Sequence, residues 1–198
     1  MTEGNDSPMV HPHALCETSA VGPRTRIWAF AHVLDGASIG SDCNICDHAF
    51  IEGRVRVGDR VTVKNGVQVF DGVVVEDDVF LGPNCIFTND LTPRAAVKKP
   101  AESLSSTLVQ RGATIGANAT IVCGVTIGAH AFVGAGAVVI RPVPRHALVV
   151  GNPARQVGWV CRCGSRLDAE LRCPCGEAYR EDPDGNGLVE VSPEPVKA

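Results

Sequence analysis

The stretch IWAFAHVLDGASIGSDCNI, from Ile27 to Ile45, decides how this chain folds. It places Ile27, Val33, Ile39 and Ile45 six residues apart. Worked outward, the interval runs back to Val21 and Leu15, and forward through Ile51, Val57, Val63, Val69, Val75 and Leu81 to Phe87, thirteen positions in succession. After one interruption it resumes at Val109 and continues through Ile115, Ile121, Ile127 and Val133 to Val139. A second lane, four residues after the markers, is small or β-branched: Ala31, Ala37, Cys43, Ala49, Val55, Val61, Val67, Val73, Val79 and Cys85.

A helix repeats its apolar residues near every 3.6 positions and an exposed strand near every 2, so neither produces a clean six. A coiled array of short strands does, with both lanes pointing inward. Gly40, Gly58, Gly116, Gly128 and Gly134 each follow a marker directly, at steps where the backbone is expected to turn tightly. The expected class is therefore all-β, a parallel β-solenoid. Parallel crossovers are nearly always right-handed, and spacing alone does not set that rule aside.

A chain of 198 residues with 44% hydrophobic content can bury one sizeable core, or one core plus a small appendage. The net charge of -4 offers no basic stripe, so no nucleic-acid partner is expected. No apolar run approaches the roughly 20 residues of a membrane span, and MTEGNDSPMV lacks the order of a signal peptide, so the expected location is cytoplasmic with no membrane partner. Four segments are predicted: a mobile tail over 1–9, the solenoid over 10–157 with an inserted loop at 88–107, a cysteine-rich segment over 158–180 and a mobile tail over 181–198.

The inserted loop opens with Phe87-Thr88-Asn89-Asp90 and runs on through Pro93-Arg94, Lys98 and Lys99. An excursion this long from a regular scaffold marks a functional segment. Together with Arg26-Ile27-Trp28, Phe30, His32, Glu76-Asp77-Asp78-Val79-Phe80-Leu81-Gly82-Pro83 and Gly151-Asn152-Pro153-Ala154, it resembles the hexapeptide-repeat nucleotide-sugar N-acyltransferases of bacteria. Similarity spans residues 10 to 157 and is greatest to the N-acetyltransferases of UDP-2-acetamido-3-amino-2,3-dideoxy-glucuronate, with dTDP-3-amino-hexose acyltransferases as near relatives. The resemblance implies three hexapeptides per turn, hence about six coils from the nineteen markers. It also implies a left-handed β-helix, a homotrimer, acetyl-CoA as cosubstrate and a nucleotide-linked amino sugar as acceptor.

The residues support amine rather than hydroxyl acylation. A neutral amine attacks a thioester with little base assistance, whereas a hydroxyl needs a positioned base, usually histidine. Asn89 stands where O-acetyltransferases of this family are expected to place that histidine. Asn89 is not a base near neutral pH, so it is the candidate for orienting the amine or donating to the developing oxyanion. Asp90 is a substrate-contact candidate or a loop cap. The planar fork of Arg94 suits a sugar carboxylate or a diphosphate. Lys64 and Asn65 are candidates for the same groove, and Trp28 for stacking on a base or on a neighbouring subunit. The resemblance assigns the CoA cleft to Gly116, Ala117, Gly134 and Ala135 through their backbone, with Asn152 beside them and Arg141 and Arg155 toward the CoA phosphates.

His32 and His48 are candidate substrate contacts or proton acceptors, with surface turns as the alternative. His32, His48 and His130 stand far apart in the register, which disfavours a zinc site of the γ-class carbonic anhydrase kind. Nine cysteines divide into two groups. Cys16, Cys43, Cys46, Cys85 and Cys123 are scattered, and Cys43 and Cys85 take inward small positions. Cys161-Arg-Cys163-Gly and Cys173-Pro-Cys175-Gly form two tight pairs, read as a zinc-ribbon-like appendage holding a structural Zn²⁺ through four thiolates. The pairs are C-x-C rather than C-x2-C, and disulfides or a metal-free ribbon are the alternatives.

Overall fold

A computed structural model describes residues 6–191. The chain is a left-handed parallel β-solenoid whose short strands stack into three flat faces of nine, seven and five strands, with a separate two-stranded hairpin near the C-terminus. Through the middle coils each strand pairs with the strand three elements later, as Arg26–Ile27 with Asn44–Ile45 and then Thr62–Val63 on face one. Face two runs from Leu15–Cys16 to Val138–Val139, and face three from Ser38–Ile39 to Thr126–Ile127.

The six-residue period works because both predicted lanes fill the interior. Ile27, Ile45, Ile51, Leu81, Phe87, Ile115, Ile121 and Ile127 are wholly buried, and Ala31, Cys43, Ala49, Val55, Val61, Val67 and Cys85 pack between them. Each fully buried aliphatic side chain contributes about 1.5–3 kcal/mol. Burial pushes the Cys85 thiol up to about 12, as expected of a cysteine used as a small hydrophobe.

The ends of the repeat depart from the predicted register. Val10 pairs with Ile27 and Cys16 with Val33, so Cys16, not Leu15, takes the inward position. Leu15 is 53% exposed. The first coil is one residue short between Cys16 and Val21, where the Thr18 hydroxyl donates to Ala37 O and accepts from Ala20 N. At the other end a corner carrying Pro142 cuts the coil short, so that Val143 pairs with Ile127 and Val149 with Val133. The solenoid thus extends past both terminal markers, and Met9 and Val10 belong to its first strand rather than to a tail ending at residue 9.

The glycines that follow markers also differ from expectation. Left-handed backbone falls two residues later, at Asp42, Arg60, Asn118 and His130 with φ between 56° and 60°. Gly116 answers a different constraint, since a Cβ there would lie 2.5 Å from Ala135 N on the next coil. Glycine is required by coil-on-coil approach, not by the turn.

The C-terminal segment is more ordered than its polar composition suggests. Ala147–Val150 is followed by Arg155–Trp159, which pairs with it antiparallel and covers the free edge of face one. Tyr179–Glu181 and Leu188–Glu190 then form an antiparallel hairpin with Leu188 1% exposed. The expected mobile tail over 181–198 therefore fails through residue 190, because Leu188 N donates to Arg145 O and Arg145 N to Asn186 O. Residues 1–5 and 192–198 of the two predicted tails lie outside the described residues. No helix among the described residues is long and apolar enough to cross a membrane.

Candidate active site

Stacking turns single sequence positions into columns along three edges. On the edge between faces one and two, backbone N–H groups of Trp28, Cys46, Lys64, Gly82, Gly116 and Gly134 each donate to the next coil, placing these residues in one file. Asn65, Ala117 and Ala135 follow in the neighbouring file. Seven of the predicted site residues therefore share this edge: Trp28, Lys64, Asn65, Gly116, Ala117, Gly134 and Ala135. From Gly82 through Gly134 the file carries no side chains, and Val150 caps it.

At its N-terminal end the edge hollows into a groove of about 390 Å³ lined by Arg26, Trp28, Asn44, Cys46, Asp47 and Asn65. The Trp28 indole N–H donates to Asn44 Oδ1 at 2.7 Å, fixing the ring while 38% of the residue stays exposed. Asn44 and Asp47 were missed in the sequence, and Arg26 was read only as part of a motif, without a place in a groove. The signal was present, because residues eighteen apart stack, and Arg26 pairs with Asn44 one coil on. Beside the groove Phe30 stacks between His13 and His48, so His48 is one layer of an exposed aromatic file.

The inserted loop leaves from the edge between faces two and three. Thr88 N donates to Ile121 O and the Thr88 hydroxyl accepts from Cys123 N at 3.0 Å, which keeps the coil continuous beneath the excursion. The neck closes where Ser105 N donates to Asn89 O at 2.9 Å. That bond uses the Asn89 main chain, and its half-buried side-chain amide has no hydrogen-bond partner among the described residues. Asp90 is occupied differently: its Oδ1 accepts from Thr92 N and from Lys99 Nζ, and the Lys99 ammonium holds its carboxyl below the usual range. Lys99 also donates to the Thr92 carbonyl and hydroxyl. Asp90 is thus the internal clasp of the loop. Arg94 is exposed, with one bond to Pro93 O.

Arg141 stands exposed on this second edge, just past the last strand of face two at Val138–Val139. His32 projects from face two itself, its Nε2 3.2 Å from Glu17 Oε1 and its ring edge-on to Phe50. Its proximity lowers the Glu17 carboxyl. Asn152 lies in the turn under the last strand of face two, where Val138 N donates to Gly151 O and Ala154 N to Val138 O. The Asn152–Pro153 bond is cis. Arg155 is exposed and donates to Ala154 O. All the predicted substrate and cosubstrate residues therefore border face two. They do not meet at one point within a protomer, since the two edges are separated by the width of a sheet, roughly 15 Å.

The third edge carries different chemistry. Arg24 and Asp42, then Arg60 and Asp78, form ion pairs up the corner, followed by His130 stacked on His146 at 5.0 Å. Burial lowers both histidines. Off this edge the sulfurs of Cys161, Cys163, Cys173 and Cys175 lie within 4.8 Å of one another.

The bacterial transferase hexapeptide (six repeats) family matches over residues 106–141. The chain is 52% identical over 183 residues to the dTDP-3-amino-3,6-dideoxy-alpha-D-galactopyranose 3-N-acetyltransferase of Aneurinibacillus thermoaerophilus, covering 91% of this chain and 94% of that one. A hexapeptide-repeat acetyltransferase from Vibrio cholerae, solved with acetyl coenzyme A, is 28% identical with a TM-score of 0.55, covering 64% of this chain and 72% of its own. A GDP-perosamine N-acetyltransferase mutant from Caulobacter crescentus, solved with CoA and GDP-perosamine, shares the fold at 24% identity and a TM-score of 0.55. That match covers 76% of this chain, which spans only 56% of the Caulobacter one. The chain belongs to the hexapeptide-repeat family of bacterial transferases. Within that family it is an acetyltransferase.

Proposed function

We propose that this enzyme transfers an acetyl group from acetyl-CoA to the 3-amino group of a dTDP-linked 3-amino-3,6-dideoxyhexose. The observation that carries this reading is the 52% identity, over nearly the whole of both chains, to an enzyme of that activity. It moves the preference from the UDP-linked 3-amino uronate expected from sequence to the dTDP sugar. The exposed Arg94, bonded only to Pro93 O, remains assigned to an anionic group of the acceptor.

In this reading the groove at Arg26, Trp28, Asn44 and Asn65 takes the nucleotide, with the indole face offered to the base. The side-chain-free file through Gly82, Gly116 and Gly134 leaves backbone to meet pantetheine amides, and Arg141, Asn152 and Arg155 lie toward the CoA phosphates. The neutral sugar amine attacks the thioester carbonyl. A C–N bond forms, the C–S bond breaks, CoA leaves as thiolate, and the ammonium proton passes to solvent or to that thiolate. The Asn89 amide donates to the oxygen on which charge gathers.

Half of this site stands on one edge of face two and half on the other. A homotrimer in which face two meets a neighbour brings the Trp28 edge of one protomer against the Asn89 loop of the next. Face two supports that arrangement, since its outward residues His32, Phe50, Gln68, Ile86, Thr120 and Val138 are only half covered in one protomer. A cytoplasmic location goes with this reading, since a reducing compartment keeps nine cysteines as thiols.

The test is thiol release from acetyl-CoA with matched 3-amino and 3-hydroxy nucleotide sugars. Turnover confined to the amines is expected. Turnover confined to the hydroxy sugars overturns N-acylation in favour of an O-acetyltransferase, which requires one of His32, His48 or His130 to be an indispensable base.

A further inference from the structure

The acyl-transfer reading uses face two and its edges, and leaves the cysteine cluster beyond the third edge without a role. Its four sulfurs form an unbroken chain of contacts, all within 4.8 Å of one another. Cys163 Sγ lies 3.5 Å from Cys173 Sγ, Cys173 lies 3.1 Å from Cys175, and Cys175 lies 3.6 Å from Cys161. A tetrahedral four-sulfur zinc site with Zn–S near 2.3 Å needs sulfurs about 3.8 Å apart. Two separate disulfides would bring sulfurs together in pairs, whereas here Cys173 and Cys175 each approach two others.

The two turns that present the sulfurs are wired alike. Cys161 N donates to Ser165 O and Gly164 N to Cys161 O; twelve residues on, Cys173 N donates to Glu177 O and Gly176 N to Cys173 O. Each turn is closed by an antiparallel bridge, Val160 with Arg166 and Arg172 with Ala178. Gly164 and Gly176 adopt φ of 90° and 98°. The C-x-C spacing that set this segment apart from ordinary ribbons thus builds two equivalent knuckles facing one point.

The segment lacks a core able to hold it unaided. Its buried apolar residues are Val160, Cys161, Leu167, Cys173, Tyr179 and Leu188, two of them the cysteines themselves. Units this small need a metal or a covalent staple. Yet this one is tied directly to the last coil. Val160 N donates to His146 O, and the Val160 carbonyl accepts from His146 Nδ1 at 2.9 Å. The Tyr179 ring packs on His146 at 4.7 Å while its hydroxyl reaches Cys161 Sγ at 3.2 Å. Arg145 pairs with Asp182 on the hairpin.

We propose that Cys161, Cys163, Cys173 and Cys175 bind one Zn²⁺, and that this metal clamps residues 159–190 over the C-terminal end of the solenoid. With four thiolates the metal keeps no open position, so its contribution is structural. The Tyr179–His146 contact transmits the clamp to the final coil.

Full-length protein purified under reducing conditions is expected to carry one zinc per protomer by elemental mass spectrometry. Exchange with Co²⁺ is expected to give thiolate charge-transfer bands and the visible bands of tetrahedral cobalt. Cys163→Ser and Cys175→Ser alter exposed ligands and spare the buried ones, and each is expected to lose most of the zinc. The clamp is read by limited proteolysis: chelation or either substitution should speed cleavage between 158 and 191 by roughly tenfold or more while leaving the solenoid intact. Absence of zinc, or intramolecular disulfides in the freshly purified protein, overturns the site. Unchanged protease resistance after complete zinc removal overturns the clamp.

Discussion

Replacing Asn89 by Ala separates the chemistry of the loop from its architecture. The neck of the insertion is held by the Asn89 carbonyl, which accepts from Ser105 N at 2.9 Å, and by the Asp90–Lys99–Thr92 clasp. None of these bonds uses the Asn89 side chain. Truncation should therefore change stability by no more than about 0.5 kcal/mol. If the amide donates to the thioester oxygen as charge develops, its loss removes one preorganised donor, worth about 100–1,000-fold in kcat or about 2.7–4 kcal/mol. The assay is steady-state thiol release with acetyl-CoA and the amino sugar, run beside a thermal melt. Asn89→Asp should fall at least as far, because its carboxylate repels the developing charge. Full activity in Asn89→Ala refutes the role. A lost rate accompanied by a lost melting transition refutes the argument that the side chain is dispensable to the fold.

Other consequences follow from the same geometry. Gly116→Ala forces a Cβ to 2.5 Å from the Ala135 backbone, and equilibrium unfolding should show a destabilisation of about 1–3 kcal/mol. His146 and its neighbour His130 both titrate below the ordinary value of 6.5 because burial disfavours their charged forms. The unfolded chain then binds more protons below that value, so stability should fall as pH drops from about 7.5 to 5.5, measured as melting temperature. His146→Gln should flatten that dependence, with His130, Arg145, Glu190 and Tyr179 left in place around it. Trp28→Ala and Asn89→Ala subunits, each weak alone, should regain activity when co-expressed and mixed, because one interface then carries both intact edges. Failure of mixed trimers to recover would place the site within a single protomer.

The inward columns were legible because a period of six is incompatible with helix or simple strand, and thirteen unbroken repeats leave one register. Its ends were not. Leu15 and Cys16 are both acceptable inside, so nothing in the residue types reveals that the first coil is one residue short, and the Pro142 corner hides a shortening at the other end in the same way. Sequence also placed the loop and the Trp28 edge, since the insertion interrupts the count and the markers fix which residues face outward. It missed Asn44 and Asp47, and gave Arg26 no role beyond its motif, because these polar side chains become a groove only when residues eighteen apart are stacked. Asp90 was ambiguous until Lys99 was seen to bind it. The hairpin at 179–190 escaped notice because two isolated buried side chains, Tyr179 and Leu188, and backbone bonds to Arg145, rather than an apolar pattern, hold it.

The most direct test is competition in one vessel: acetyl-CoA, a dTDP-linked 3-amino-3,6-dideoxyhexose, a UDP-linked 3-amino uronate and the 3-hydroxy analogue of each, with products identified by mass spectrometry and NMR. The account predicts acetyl on the nitrogen of the dTDP sugar, formed in step with free CoA. Acetyl found chiefly on the UDP uronate would contradict the nucleotide assignment, and acetyl on oxygen, or no transfer to either amine, would contradict the central claim.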